Sequence, residues 1–97
     1  MSPQSQILNA IQSHSEELES YGVKKVGLFG SFVRMTPHAK SDVDILVEFK
    51  RGRKTFDNYM DLKFFLEKLF KRKVDLVIKD ALKKRIRNRV LSEVKYA

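Results

Sequence analysis

Three aspartates and a Gly-Ser pair are the residues of this chain whose types and spacing could do chemistry. Asp42 and Asp44 stand two apart in the run Asp42-Val43-Asp44-Ile45. Residues two apart on a strand share a face and lie roughly 6.5–7 Å apart along it. Both carboxylates therefore project together, while Val43 and Ile45 point to a core. Carboxylates that close repel unless one is protonated or a cation is recruited. Mg²⁺ is the matching ion, since it takes one or two carboxylates and completes its shell with water and phosphate oxygens. Asp75 is second in another apolar run, Val74-Asp75-Leu76-Val77-Ile78. If that run is a strand beside the first, Asp75 completes a three-carboxylate cluster able to hold two metal ions.

Gly30-Ser31 supplies the complementary half. It falls where an apolar strand stops, so the backbone N–H groups that open the next turn are free to meet an anion. Gly30 lets the backbone approach a phosphate closely, the Ser31 hydroxyl can donate to it, and Arg34 can contact it through two N–H groups. A phosphate cradle beside a metal platform is the equipment of in-line phosphoryl transfer.

The elements that must position these residues follow from the hydrophobic spacing. Ile7, Leu8, Ile11, Leu18 and Tyr21 predict an amphipathic helix over about 5–20, capped by Ser5 and ended by Gly22. Val23 to Phe29 reads as a buried strand, Ser31 to Met35 as a short helix, and Thr36 to Lys40 as a loop holding Pro37. Ser41 to Phe49 is a second strand whose odd members, Val43, Ile45, Val47 and Phe49, are apolar. Its even members include Asp42, Asp44 and Glu48. A basic turn around Gly52 leads to a helix over 56–70, then a third strand over 74–78. A last helix follows, capped by Asp80 and striped by Leu82, Ile86, Val90 and Val94. This order predicts an α+β fold: a small mixed sheet with helices packed on one face and an open acidic face.

The 97 residues predict one domain, 1–97, with a core small enough that a protein partner or a homo-oligomer is expected. With no cysteine, any metal must sit on oxygen or imidazole. The apolar runs are far shorter than a membrane span and the first residues lack the order of a signal peptide, so a cytoplasmic protein is expected. A net charge of +8 draws polyanions: a nucleoside triphosphate, nucleic acid or an acidic protein surface.

Gly30-Ser31, ten intervening residues, then Asp42-Val43-Asp44 resembles the signature of the DNA polymerase β-like nucleotidyltransferases. From Val26 onward, including the Val-Asp-Leu-Val strand and the Leu82-Lys-Lys-Arg-Ile-Arg helix, the chain is similar to the minimal nucleotidyltransferase (MNT) antitoxin family. It departs from that pattern at Met35, where the family often has glycine, and in the early position of Pro37. The resemblance implies that Asp42 and Asp44 bind both Mg²⁺ ions, that Asp75 is the third acid, and that Gly30 and Ser31 hold the triphosphate of ATP. It further implies a HEPN-domain toxin, a small helical ribonuclease, as partner, neutralised by complex formation, by adenylylation of one of its tyrosines, or by both. A dormant antitoxin would act by binding alone, through the helical stripes around Tyr59 or Val90. A transferase acting on RNA or a small molecule is the third reading.

Other residues have plainer roles. His38 is a loop histidine and His14 a structural one on the first helix. Glu48 shares the acidic face but lies too far along for a metal. Phe56, Tyr59 and Phe65 make a core or interface stripe. Lys83, Lys84, Arg85, Arg87 and Arg89 form a solvated helix face that could meet an acidic partner.

Overall fold

A computed structural model of the chain describes residues 2–34 and 42–97. Met35, Pro37, His38 and the expected loop over 36–40 lie outside the described residues. The described elements run α1 (Pro3–Ser13), α2 (Ser15–Ser20), β1 (Val23–Phe29), β2 (Val43–Phe49), α3 (Phe56–Phe70), β3 (Val74–Ile78), α4 (Lys84–Glu93) and β4 (Lys95–Tyr96). Three-residue 3₁₀ turns follow β1 and β3.

The four strands form one mixed sheet in the order β3-β2-β1-β4. β2 is antiparallel to β1 and parallel to β3, while β4 pairs antiparallel with the outer side of β1. The parallel β2–β3 pair needs a crossover, and α3 supplies it. Thr55 caps α3 by accepting from the Asn58 N–H at 3.1 Å, and Lys71 closes it with φ of 55°. On one face of the sheet Ile7, Ile11, Leu18, Leu62 and Leu66 pack over Val26, Leu28, Val43, Ile45, Val47, Val74 and Leu76. This is the helix-covered face that the odd positions of β2 foretell.

The other face carries the acids, and α4 lies across part of it. Leu46, Leu82 and Val90 form a second buried cluster, with Phe29, Val77 and Ile86 packed around it. Leu46 is the apolar residue among the even members of β2, so the central strand is buried on both sides at that point. Val90 is only 1% exposed, with Ile86, Leu91 and Val94 partly buried against the same cluster. Tyr59 is engaged too, its hydroxyl donating to the Leu76 carbonyl at 2.6 Å.

Several element ends differ from expectation. The first helix breaks at His14, whose ring bonds the Ala10 carbonyl at 2.8 Å and meets Phe65 edge-on. Ser2, not Ser5, is the N-cap; its side chain accepts from the Ser5 N–H. Asp80 falls in a 3₁₀ turn, and α4 starts at Lys84 with no side-chain cap. Phe56 of the aromatic stripe is 78% exposed, outside the core.

Leu46 is fully buried and holds α4 against the sheet. Leu46→Ala is expected to lower stability by about 2–5 kcal/mol, the range for a truncated core leucine, as read by chemical denaturation.

Candidate active site

Register places two of the acids side by side. Asp44 of β2 is the direct partner of Asp75 of β3, and neighbouring strands run about 4.8 Å apart with matched side chains on one face. Both line a cleft of about 270 Å³ between the sheet and α4, together with Gly30, Arg34, Arg89 and Glu93. Asp42 is exposed just ahead of β2, where the Val43 N–H bonds the Lys73 carbonyl at 3.0 Å. Among the described residues no three acidic or imidazole side chains converge into a ready-made metal group. The acids thus stand as an adjacent pair, Asp44 and Asp75, with Asp42 at the strand mouth.

On the other side of Asp44 runs β1. Phe29 is the register partner of Asp44, so Gly30 follows directly beside the carboxylate. Gly30 has φ of +77°, and a Cβ there would collide with the Asp44 side chain, 2.8 Å from its Cγ. Glycine is needed at this position twice over, for the left-handed backbone and for the space. The chain then makes one 3₁₀ turn, Gly30–Phe32, with the Val33 and Arg34 N–H groups donating to the Gly30 carbonyl at 3.1 and 3.0 Å. The helix expected over 31–35 is therefore a single turn within the described residues, too short to carry much dipole. Gln4 of α1 secures the turn from behind, donating to the Phe32 and Val33 carbonyls at 3.4 and 3.2 Å.

Arg34 is already occupied. Its Nη1 donates to both carboxylate oxygens of Glu93, at 3.1 and 3.2 Å, and the Gly30 N–H donates to Glu93 Oε1 at 3.1 Å. Glu93, from the end of α4, was not among the sequence candidates. One signal existed: it is the only acid in Lys84–Glu93, on the same helical face as Ile86 and Val90. Glu48 pairs with Lys79 at 3.7 Å, away from this cleft.

The Asp44 carboxyl is pushed up from its usual 3.8 to about 6. Burial is the main cause, followed by the negative charges of Asp75 and Asp42; Arg34 opposes the shift and Glu93 adds slightly to it. An oxygen-only donor set whose own charges repel fits a hard divalent cation. Mg²⁺ rarely uses an all-protein cage, so a carboxylate pair that leaves room for water and phosphate suits it.

Fold and site together define a nucleotidyltransferase, and residues 8–97 match the family model described as nucleotidyltransferase domain. The chain belongs to that family and, within it, to the minimal nucleotidyltransferases. It is 41% identical over 92 residues to the protein adenylyltransferase MntA of Thermococcus cleftensis, covering 94% of this chain and 92% of that protein. A solved structure provisionally described as a minimal nucleotidyltransferase superposes with a TM-score of 0.73 at 35% identity, over 91% of this chain and 93% of the other. A chain in the structure of a tri-AMPylated Shewanella oneidensis HEPN toxin in complex with MNT antitoxin gives 0.67 at 20% identity, over 96% of this chain and 70% of that one. At that identity the likeness is one of fold.

Two outcomes follow. The folded-state value of Asp44 lies above the unfolded one, so its contribution to stability is full below pH 3.8 and is lost as pH rises through about 6. Near neutral pH and without metal, Asp44→Asn should raise the melting temperature by roughly 4–8 °C, the shift of about 1 kcal/mol in a domain this size. The gain should shrink as the pH is taken down toward 4. Gly30→Ala should cost about 1–3 kcal/mol, from the strained φ and the displaced carboxylate, measured by denaturant titration.

Proposed function

We propose that this chain transfers AMP from ATP to a tyrosine hydroxyl of a HEPN-domain toxin and is thereby the antitoxin of the pair. The observation that carries the reading is the pairing of Asp44 with Asp75 in register, beside the Gly30–Arg34 turn. That arrangement occurs in a chain 41% identical to a protein adenylyltransferase.

The roles divide by chemistry. Asp42, Asp44 and Asp75 would hold two Mg²⁺ ions, which would neutralise charge on the phosphates and favour the ionised acceptor. The raised Asp44 pKa supports this, because a bound cation removes the repulsion that burial and two acid neighbours create. The Gly30 N–H, the Ser31 hydroxyl and the Arg34 guanidinium donate to the triphosphate. Asp75, exposed at the cleft, takes the proton of the acceptor hydroxyl. The acceptor oxygen attacks the α-phosphorus in line, the bond to the bridging oxygen breaks, and pyrophosphate leaves with its charge met by Arg34 and Ser31. The product is an AMP–tyrosine phosphodiester.

The test uses the protein, its HEPN partner, Mg²⁺ and ATP labelled on the α-phosphate. Label should pass to the partner, and Asp42→Ala or Asp44→Ala should reduce the transfer rate by at least about a hundredfold. Unlabelled partner with the wild type, or equal labelling with both variants, overturns the catalytic reading. Undiminished protection of cells by those variants would point to neutralisation by binding alone.

A further inference from the structure

The groups assigned to the triphosphate are not idle in the folded chain. The Gly30 N–H and the Arg34 guanidinium both point at one carboxylate, that of Glu93, through three hydrogen bonds of 3.1–3.2 Å. A carboxylate held by a backbone N–H and by one guanidinium nitrogen shared between its two oxygens occupies donors that a phosphate would use. Glu93 is 18% exposed at its side chain while Arg34 is 51% exposed, so the acid lies on the inner side of the arginine, toward the cleft.

We propose that Glu93 is an internal competitor for the triphosphate: its carboxylate fills the anion site of Gly30 and Arg34, and the nucleotide enters by displacing it.

Charge supports the displacement. The cleft already holds Asp44 and Asp75, with Asp42 at its edge. A triphosphate added beside an undisplaced Glu93 would meet a fourth carboxylate, an arginine whose Nη1 is taken and a Gly30 N–H already bonded. Moving Glu93 aside frees those donors and removes the nearest negative charge. The acid is also placed to move. It is the last residue of α4, next to the extended Val94 and the short edge strand β4, so a side-chain rotation or a fraying of the last turn suffices. The fixed part of the anion site stays behind, since Gln4 holds the Phe32 and Val33 carbonyls independently of Glu93.

The inference rests on the assignment of this turn to the triphosphate, and the experiment separates the two. The full chain, Glu93→Gln, Glu93→Ala and Arg34→Ala are titrated calorimetrically with a non-hydrolysable ATP analogue and Mg²⁺, with thermal melts as a check on folding. Competition predicts that both Glu93 variants bind more tightly than the wild type, by about three- to tenfold, because the occluded fraction is released. Arg34→Ala should bind more weakly. Equal or weaker binding by the Glu93 variants, with Arg34→Ala still impaired, overturns the competitor role and leaves the triphosphate assignment standing. Wild-type binding that is absent, or indifferent to Arg34→Ala, removes that assignment and the proposal with it. Glu93→Gln keeps an acceptor oxygen in the same place, so loss of folding by Glu93→Ala alone does not blur the result.

Discussion

The half-buried Asp44 carboxylate is the constraint to which the rest of this small fold answers. It sits on the central strand, pressed on one side by Gly30 and flanked on the other by Asp75. Water is partly excluded there, and two further acids act on it, so the charged form is disfavoured and the pKa moves up to about 6. A protein under selection for stability alone would place an apolar residue at such a position. Keeping the acid costs stability, which is the usual trade between a functional centre and the fold that carries it. The glycine opposite belongs to the same constraint, because a side chain there would remove the room Asp44 needs.

The last helix performs two tasks that conflict with its own composition. Lys84 and Arg85 lie in its first turn, with no acid there and no side-chain cap, although cations are disfavoured at a helix start. What holds α4 is therefore tertiary: Leu82 and Val90 on Leu46, and Glu93 bonded to Gly30 and Arg34. The helix is anchored through its buried stripe and its far end. Its exposed cations, Lys83, Lys84, Arg85, Arg87 and Arg89, make no ion pair among the described residues. Of these, Arg89 lines the cleft beside the acids; the others add to the positive field of a chain whose net charge is +8.

Family membership and local geometry carry different parts of the conclusion. The match over residues 8–97 and the identity to MntA establish a nucleotidyltransferase. Side-by-side register of Asp44 and Asp75, and the placement of Gly30 against Asp44, explain physically how such a short chain can bring these groups together. Two adjacent strands and one turn contribute every group, and the crossover through α3 is what sets those strands parallel.

Much of this was legible in the residues themselves. The period-2 alternation of 43–49 and the long stripe of 56–70 match β2 and α3, because burial of one face dictates those spacings. The alternation that buries Val43 and Ile45 also sets Asp44 on the opposite face, and the same pattern in 74–78 does so for Asp75. Local signals were weaker at ends, where Ser2 outcompeted Ser5 as a cap and His14 split the first helix. Contacts between distant segments were not legible at all. That α4 would cross the acidic face depended on Leu46, one apolar residue whose buried partners Leu82 and Val90 lie over thirty positions away. The bond from Glu93 to Gly30 spans 63 positions. Periodicity determines which face of an element is apolar and which residues share it; only the packed chain decides which element covers that face, and hence which charge ends up against the Gly30–Arg34 turn.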